Sequence, residues 1–376
     1  MSHNHPLTLL AQGSINVYGK RLTMVTIRDV AEKAGVSVAT VSHVINGTRK
    51  VAAETEARVR RAMEELGYQP NAIAQSLRKR TTYAIGILVS DITNPFFATL
   101  VRGAEDAALE AGYSVIVCNS DEDPQKEDMY IRALWRRRID GMLIAPTRDG
   151  TSPAIQELAQ RKLPFVFVDR KAKGIEADAV LSDNVGGAYL ATKHLIERGH
   201  KRIGIILGIP GATTTEERLL GYRQALEEAS LPFSEELVVW GGYRMEGGRK
   251  ACAKLLSLAE PPTAVFSTNN LMTVGVLQEL FRRGIRIPEE IAVVGFDDLE
   301  WTAIVYPPLT TVVQQPYEIG RTAFNLLLER LSSEEKHGYK EIRIAVKLQV
   351  RGARMTDTAE IGPLSVSEKA SERVHD

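Results

Sequence analysis

Short polar or aromatic clusters recur along this chain, each placed just after an apolar run. Asp91-Ile-Thr-Asn94-Pro-Phe96-Phe97 follows Ile85–Val89, and Asp169-Arg170 follows Phe165–Val168. Arg218 is expected to open the helix after Gly208-Ile-Pro-Gly211, Tyr243 comes after Trp240-Gly-Gly and Asn269 after Phe266-Ser-Thr. Asp297 follows Val293-Val-Gly-Phe296, and Gln314 closes a later apolar stretch. Carboxylates, amides, guanidinium groups and aromatic rings suit a sugar-like ligand. Rings cover its C–H face, and planar polar groups form paired hydrogen bonds to vicinal hydroxyls. The set lacks the dense cationic cluster that a multiply phosphorylated ligand requires.

Catalytic alternatives find little support. There is no Gly-x-x-x-x-Gly-Lys-Ser/Thr, no Gly-x-Gly-x-x-Gly after a strand, and no Cys/His cluster at zinc spacing. The adjacent acids Asp297-Asp298 resemble a hydrolytic pair, but neighbours at a strand end usually point apart. No enzyme, cofactor or metal is expected. His3 and His5 are only a weak hint of metal binding.

A second chemistry lies near the start, in Thr26 to Arg80. Ser37, Thr40, Ser42 and Asn46 have the side chains that hold phosphates. Val38 and Ala39 offer methyl groups to thymine, and His43 can donate to a guanine acceptor. Thr26, which precedes the first apolar helical face, is counted with this DNA-binding set. Between residues 25 and 80 there are ten basic and six acidic residues, whereas the whole chain has 47 of each. The positive surplus therefore lies where phosphate neutralisation needs it.

Specific elements must position these groups. Ile27, Val30 and Ala31 share a helical face, with Thr26 and Asp29 at its start and Gly35 at its end. Ser37 caps a second helix, Val38 to Ile45, whose Val41, Val44 and Ile45 face inward. Val38, Ala39, Ser42 and His43 are left facing out. A third helix, Glu54 to Leu66, closes the small core, and Gly67 and Pro70 end it. Two short helices joined by a small-residue turn form a helix-turn-helix, which fits the major groove of DNA.

From residue 83 to about 350, apolar strand-like runs alternate with amphipathic helical runs. Helices are expected at Phe97–Ala111, Lys126–Arg137, Pro153–Arg161, Ala188–Arg198, Glu217–Ala229, Met245–Leu258 and Met272–Arg283. Strand–helix repetition implies doubly wound parallel sheets, with ligand at the carboxyl ends of the strands. The length of 376 residues allows two or three domains. Two cysteines, Cys118 and Cys252, are expected to be reduced core residues of a cytoplasmic protein. No run of about eighteen apolar residues suggests a membrane span. Residues 1–23 lack a signal-peptide pattern.

The motif Asp-Val-Ala-x-x-Ala-Gly-Val-Ser-x-x-Thr-Val-Ser-x-Val-x-Asn resembles the headpiece of the lactose/galactose-repressor family. Pro70-Asn71-Ala-Ile-Ala-Gln-Ser-Leu77 resembles that family's hinge helix. The resemblance implies that Asn71, Ala74, Leu77 and Arg78 meet DNA, with Leu77 wedged into the minor groove where two chains join over the operator. Residues 83 to about 354 are similar to the periplasmic-type sugar-binding core of the family. Asn94, Phe96, Phe97, Asp169, Arg170, Arg218, Tyr243, Asn269, Asp297 and Gln314 match its ribose-binding branch, as does Ser182-Asp-Asn-Val-Gly-Gly187. Tyr243 departs from the phenylalanine usual in that branch. Its hydroxyl is a candidate either to reject ribose or to bond a different sugar.

The expected fold is an all-α helix-turn-helix headpiece with a hinge helix, followed by an α/β two-lobed core of two doubly wound parallel sheets. Residues 24–70 form the headpiece, 71–82 the hinge and linker, and 83–355 the effector-binding and dimerisation core. The first lobe takes about 83–183 and 315–341, and the second about 184–312 and 342–355, with crossovers expected near Asn184, near Thr310 to Gln315 and again before a last strand, Ile342 to Val350. Met24-Val-Thr-Ile resembles the usual family beginning, so 1–23 are expected to be a disordered extension or the product of an upstream start codon. Residues 356–376 are expected to be a disordered tail. The function implied is repression by a homodimer on a pseudo-palindromic double-stranded operator, with ribose, a related pentose or a similar metabolite as effector. A sugar receptor without DNA function is the rival reading, and the missing secretion signal and the basic headpiece weigh against it.

Overall fold

The computed structural model describes residues 25–68, 81–147, 152–333 and 338–352. The expected extension (1–23), the hinge residues Asn71, Ala74, Leu77 and Arg78, and the expected tail (356–376) lie outside the described residues. The chain divides into two compact units between Thr82 and Tyr83.

The first unit contains α1 (Ile27–Ala34), α2 (Val38–Asn46) and α3 (Ala53–Leu66). Val30, Ala31, Ala34, Val41, Val44, Val59 and Ala62 form its core. The turn between α1 and α2 depends on Gly35 at φ +62°, a conformation that strains any residue with a Cβ. The Thr26 backbone N–H and hydroxyl both donate to Asp29 Oδ2, at 2.6 and 2.8 Å. These two bonds hold the Asp29 carboxyl below its ordinary pKa.

The second unit holds two six-stranded sheets. The first has the order β11-β5-β4-β3-β1-β2 and the second β12-β10-β9-β8-β6-β7. Its strands are β1 (Ala84–Val89), β2 (Ser114–Asn119), β3 (Gly141–Ile144), β4 (Phe165–Val168), β5 (Asp178–Ser182), β6 (Ile203–Leu207), β7 (Val238–Trp240), β8 (Ala264–Ser267), β9 (Ala292–Phe296), β10 (Thr310–Val313), β11 (Glu341–Ile344) and β12 (Lys347–Gln349). The helices are α4 (Pro95–Glu110), α5 (Pro124–Arg136), α6 (Pro153–Gln160), α7 (Asn184–Glu197), α8 (Thr213–Glu228), α9 (Met245–Leu256), α10 (Asn270–Arg283), α11 (Glu300–Ile304) and α12 (Pro316–Ser332). All pairings are parallel except β10 with β12. Most central strands are continuous apolar runs buried along their length, as strands covered by helices on both faces must be.

The stretch Ile342–Val350, expected to be one strand of the second lobe, is two strands in two different sheets. β11 pairs with β5 in the first sheet, and β12 pairs with β10 in the second. Residues 342–344 therefore belong to the first lobe, not the second. The alternation of apolar and polar residues runs through both strands, so the pattern does not mark where the chain changes sheets. Gln315 Nε2 donates to the Ala345 carbonyl at the crossing, at 2.9 Å. The connection expected at Thr310–Gln315 begins with strand β10, and the chain crosses just after it. Helix α8 starts at Thr213, so Arg218 sits in its second turn and does not open it.

Candidate functional site

In the headpiece, Ser37 caps α2: the Thr40 N–H donates to Ser37 Oγ at 3.1 Å, and their hydroxyls lie 2.9 Å apart. Thr26, Ser37, Val38 and Ala39 are exposed, while Thr40, Ser42, His43 and Asn46 are half-buried. The 41% exposure of Val38 leaves a large apolar side chain in water at the start of α2, where packing does not explain it. His43 Nδ1 lies 2.9 Å from Thr48 Oγ1. Asn46 Nδ2 donates to the Ser42 carbonyl at 2.7 Å and to its hydroxyl at 3.1 Å. These bonds fix the direction of both side chains along the outer face of the helix.

In the core, the strand carboxyl ends converge on a cleft whose empty space, part of it open to solvent, is about 420 Å³. All ten effector residues expected from the sequence line it: Asn94, Phe96, Phe97, Asp169, Arg170, Arg218, Tyr243, Asn269, Asp297 and Gln314. Asp91 lines it too, along with Glu122, Thr214 and Arg244, which the sequence reading passed over. Glu122 follows the end of β2 and obeys the same strand-end rule as the others. Arg244 adjoins Tyr243.

Each side chain is held in place. Asn94 caps α4 through a bond from the Phe96 N–H at 3.0 Å, and its Oδ1 also accepts from Asn270 Nδ2 of the other lobe at 2.8 Å. Phe96 and Phe97 meet edge to face, with ring centres 5.2 Å apart. Both also belong to the core of the first lobe. Asn269 caps α10, accepting from the Leu271 and Met272 N–H groups at 3.0 and 3.2 Å.

Arg170 is buried between Asp169, at 3.0 Å, and Glu122, which accepts two bonds of 3.1 Å. Burial opposes its charge, but Glu122 and Asp169 outweigh that effect and hold its pKa above the ordinary value. Its guanidinium also lies 5.1 Å from the centre of the Tyr243 ring. Arg218 donates from Nε to Asn184 Oδ1 at 2.9 Å and from Nη1 to the Thr268 carbonyl at 2.5 Å. It lies 3.8 Å over the Phe296 ring. Burial pushes the Asp297 carboxyl above its usual value, opposed by Arg218, the Gln314 amide and the Asn270 N–H. Gln314 Nε2 donates to Asp297 Oδ1 at 2.5 Å, while Gln314 Oε1 is buried without a hydrogen-bond partner.

The Tyr243 hydroxyl lies 2.7 Å from both Thr214 Oγ1 and Thr215 Oγ1. It is thus engaged within its own lobe. The ring packs flat on Gly208, where an added Cβ would come within 2.0 Å of it. This requirement for glycine comes from close approach, since no positive φ is involved.

The family described as periplasmic binding proteins and sugar binding domain of LacI family matches residues 82–351. The family of bacterial regulatory proteins, lacI family, matches residues 26–71. The chain belongs to the LacI family. Among relatives, it is 39% identical over 319 residues to the HTH-type transcriptional repressor PurR of Aliivibrio salmonicida, covering 85% of this chain and 95% of that one. A LacI family transcriptional regulator from Enterococcus faecium, solved with bound ribose, is 34% identical with a TM-score of 0.64, covering 71% and 97%. The Lac repressor dimer bound to operator and an anti-inducer is 28% identical with a TM-score of 0.78, covering 87% and 98%. This LacI-family protein is a DNA-binding transcriptional repressor that answers to a small-molecule effector. Among the described residues, no helix is long and apolar enough to cross a membrane.

Proposed function

We propose that the effector is a neutral pentose, ribose or a close relative, held in the interlobe cavity by the ten residues named above. The observation that carries this reading is Gln314 Oε1, a buried acceptor with no partner beside the Asp297 carboxylate. A buried acceptor left unpaired is unfavourable, and a ligand hydroxyl donating to it removes the penalty. The arginines support a neutral ligand over an anionic one. Arg170 is already engaged with Asp169 and Glu122, and Arg244 with Asp91 and Asp121. A phosphate would have to break these pairs. The ribose bound by the Enterococcus faecium relative is of this class.

The DNA-facing set is Thr26, Ser37, Val38, Ala39, Thr40, Ser42, His43 and Asn46. With Nδ1 taken by Thr48, the His43 ring has Nε2 left to donate to a guanine acceptor. The reading also takes Asn71, Ala74, Leu77 and Arg78 as the minor-groove contacts, and the working form as a cytoplasmic homodimer on a two-fold operator. Effector binding shifts the balance between two lobe arrangements that differ in operator affinity.

Titration calorimetry with D-ribose, other pentoses, hexoses, sugar phosphates and purine bases tests the effector class. The expected result is saturable binding of one neutral pentose that is weakened about 10–100-fold in Asp297→Ala. Tight binding of a sugar phosphate or a base, with none of a neutral sugar, would overturn it.

A further inference from the structure

Arg244 bridges the two lobes. It stands just before α9 in the second lobe, and its Nη1 donates to Asp91 Oδ2 of the first lobe at 2.8 Å. Its Nη2 donates to Asp121 Oδ1 at 2.8 Å and to the Asp121 carbonyl at 3.3 Å. One guanidinium therefore spans two carboxylates and a carbonyl across the cleft.

The place of this contact gives it leverage. The chain passes between lobes after β5, after β10 and between β11 and β12, and these strands lie at one end of both sheets. Asp121 follows β2 and Arg244 follows β7, the strands at the opposite end. A contact far from the pivot resists opening more than an equal contact beside it. The pair Arg343–Glu217 also crosses the cleft, but Arg343 is on β11, at the pivot.

The turns that carry the contact are built for it. Asp121 and Glu122 have φ of +56° and +57°, and Gly242 and Tyr243 have +63° and +59°. Three of these four residues have side chains in a backbone region that disfavours them, and such strain persists only where the surroundings enforce it. The left-handed turn after β2 sends Asp121 to Arg244 and Glu122 to Arg170. The turn after β7 sets the Tyr243 ring and Arg244 side by side on the facing lip.

We propose that Arg244 is the closing residue of the cleft, a positioning residue that holds the lips together and so sets how often the lobes close and how slowly the effector leaves. Exposed ion pairs contribute little on average. This one differs because the Asp91 side chain is only 8% exposed, so removing the arginine leaves a shielded carboxylate unpaired. The Asp121 arm is open to water and is the weaker one. The consequence for effector release rests on the reading of the cavity as the effector site, whereas the lip contact itself does not.

The test uses the full-length protein without sugar. Spin labels at Gln125→Cys on α5 and Lys250→Cys on α9, both exposed, report the lip separation by pulsed electron spin resonance. Cys118→Ser removes the half-buried native thiol, and Cys252 is buried. The parent is expected to show a substantial short-distance population. Arg244→Gln is expected to lower the ratio of short to long distances roughly tenfold, the scale of a charged hydrogen bond. Asp121→Asn, at an exposed site that tolerates change, lowers it less. The double variant matches Arg244→Gln alone, and Arg244→Lys restores part of the short population. Coincident distributions for the parent and Arg244→Gln would overturn the proposal. With D-ribose added, Arg244→Gln should release the sugar about tenfold faster at little-changed on-rate. If ribose does not bind even the parent, the pentose reading fails and the distance result still decides the latch.

Discussion

Tyr243→Phe separates two roles that a ring hydroxyl in a binding cavity can play. In the structure the hydroxyl lies between Thr214 Oγ1 and Thr215 Oγ1, both at 2.7 Å, and these threonines are 2% and 1% exposed. Removing the hydroxyl deletes two hydrogen bonds and leaves two buried hydroxyls facing a C–H edge. An unpaired buried group costs about 1–3 kcal/mol, and rotation of the threonine hydroxyls recovers part of that. A net loss of about 2 kcal/mol follows, which lowers the melting temperature of a domain of this size by about 4–8 °C. The ring stays on Gly208 and keeps its place under Arg170. Effector affinity should therefore change by less than about threefold, because the hydroxyl is not what the ligand meets. Scanning calorimetry of the core transition and titration calorimetry with the effector give the two numbers. An unchanged melting temperature together with a tenfold or greater loss of affinity would refute the reasoning and make the hydroxyl a ligand contact.

Other perturbations address the remaining parts. Asp297→Ala should weaken effector binding by about 10–100-fold, the loss of one or two hydrogen bonds to a charged group, with operator affinity in the absence of effector unchanged in a gel-shift titration. Leu77→Ala should weaken operator binding and reduce DNA bending, measured by fluorescence energy transfer across a labelled operator, with effector affinity preserved. Glu127, buried and accepting from the Thr147 N–H at 2.7 Å, has its carboxyl pushed by burial from 4.5 to about 7. The folded state therefore keeps a proton that the unfolded state gives up. Stability falls as pH rises from 4.5 through about 7, and stays lower above that. Glu127→Gln keeps an acceptor for Thr147 and should flatten this slope, stabilising the protein by about 1–2 kcal/mol at pH 8. An unchanged dependence of the melting temperature on pH would rule this out.

What could be read from the sequence follows physical lines. Residues at the ends of apolar strands were legible, because a parallel sheet delivers every strand end to one crevice. That rule leads to most of the expected residues, although Arg218 sits in the second turn of α8, and it passes over Glu122, whose strand β2 is a partly exposed edge strand. Arg244 was hidden because its partners are 123 and 153 residues away. Helix starts at Pro95 and Pro124 were placed two residues late. Proline is favoured at the first helical position, and Asn94 and Asp123 cap those helices just before it. The start of α8 at Thr213-Thr214-Thr215 was missed because β-branched residues are weak helix formers. Burial of all three outweighs that preference. In the headpiece, local signals and tertiary packing agree, so the order of helices, the Gly35 turn and the outward face of α2 were all legible.

The split between β11 and β12 has a consequence for synthesis. The outer strand of the first sheet comes from Glu341–Ile344, after the whole second sheet except β12 has been encoded. As the chain leaves the ribosome, the first sheet waits with its β5 edge open and without α12, the helix that packs on β3, β4 and β5. An open strand edge is a template for pairing with another chain. A messenger truncated just before codon 341 should therefore yield a product that aggregates, even though all ten expected cavity residues and the entire headpiece have already been made. For the same reason neither lobe can be cut out as a contiguous gene segment, and the two have to be inherited together.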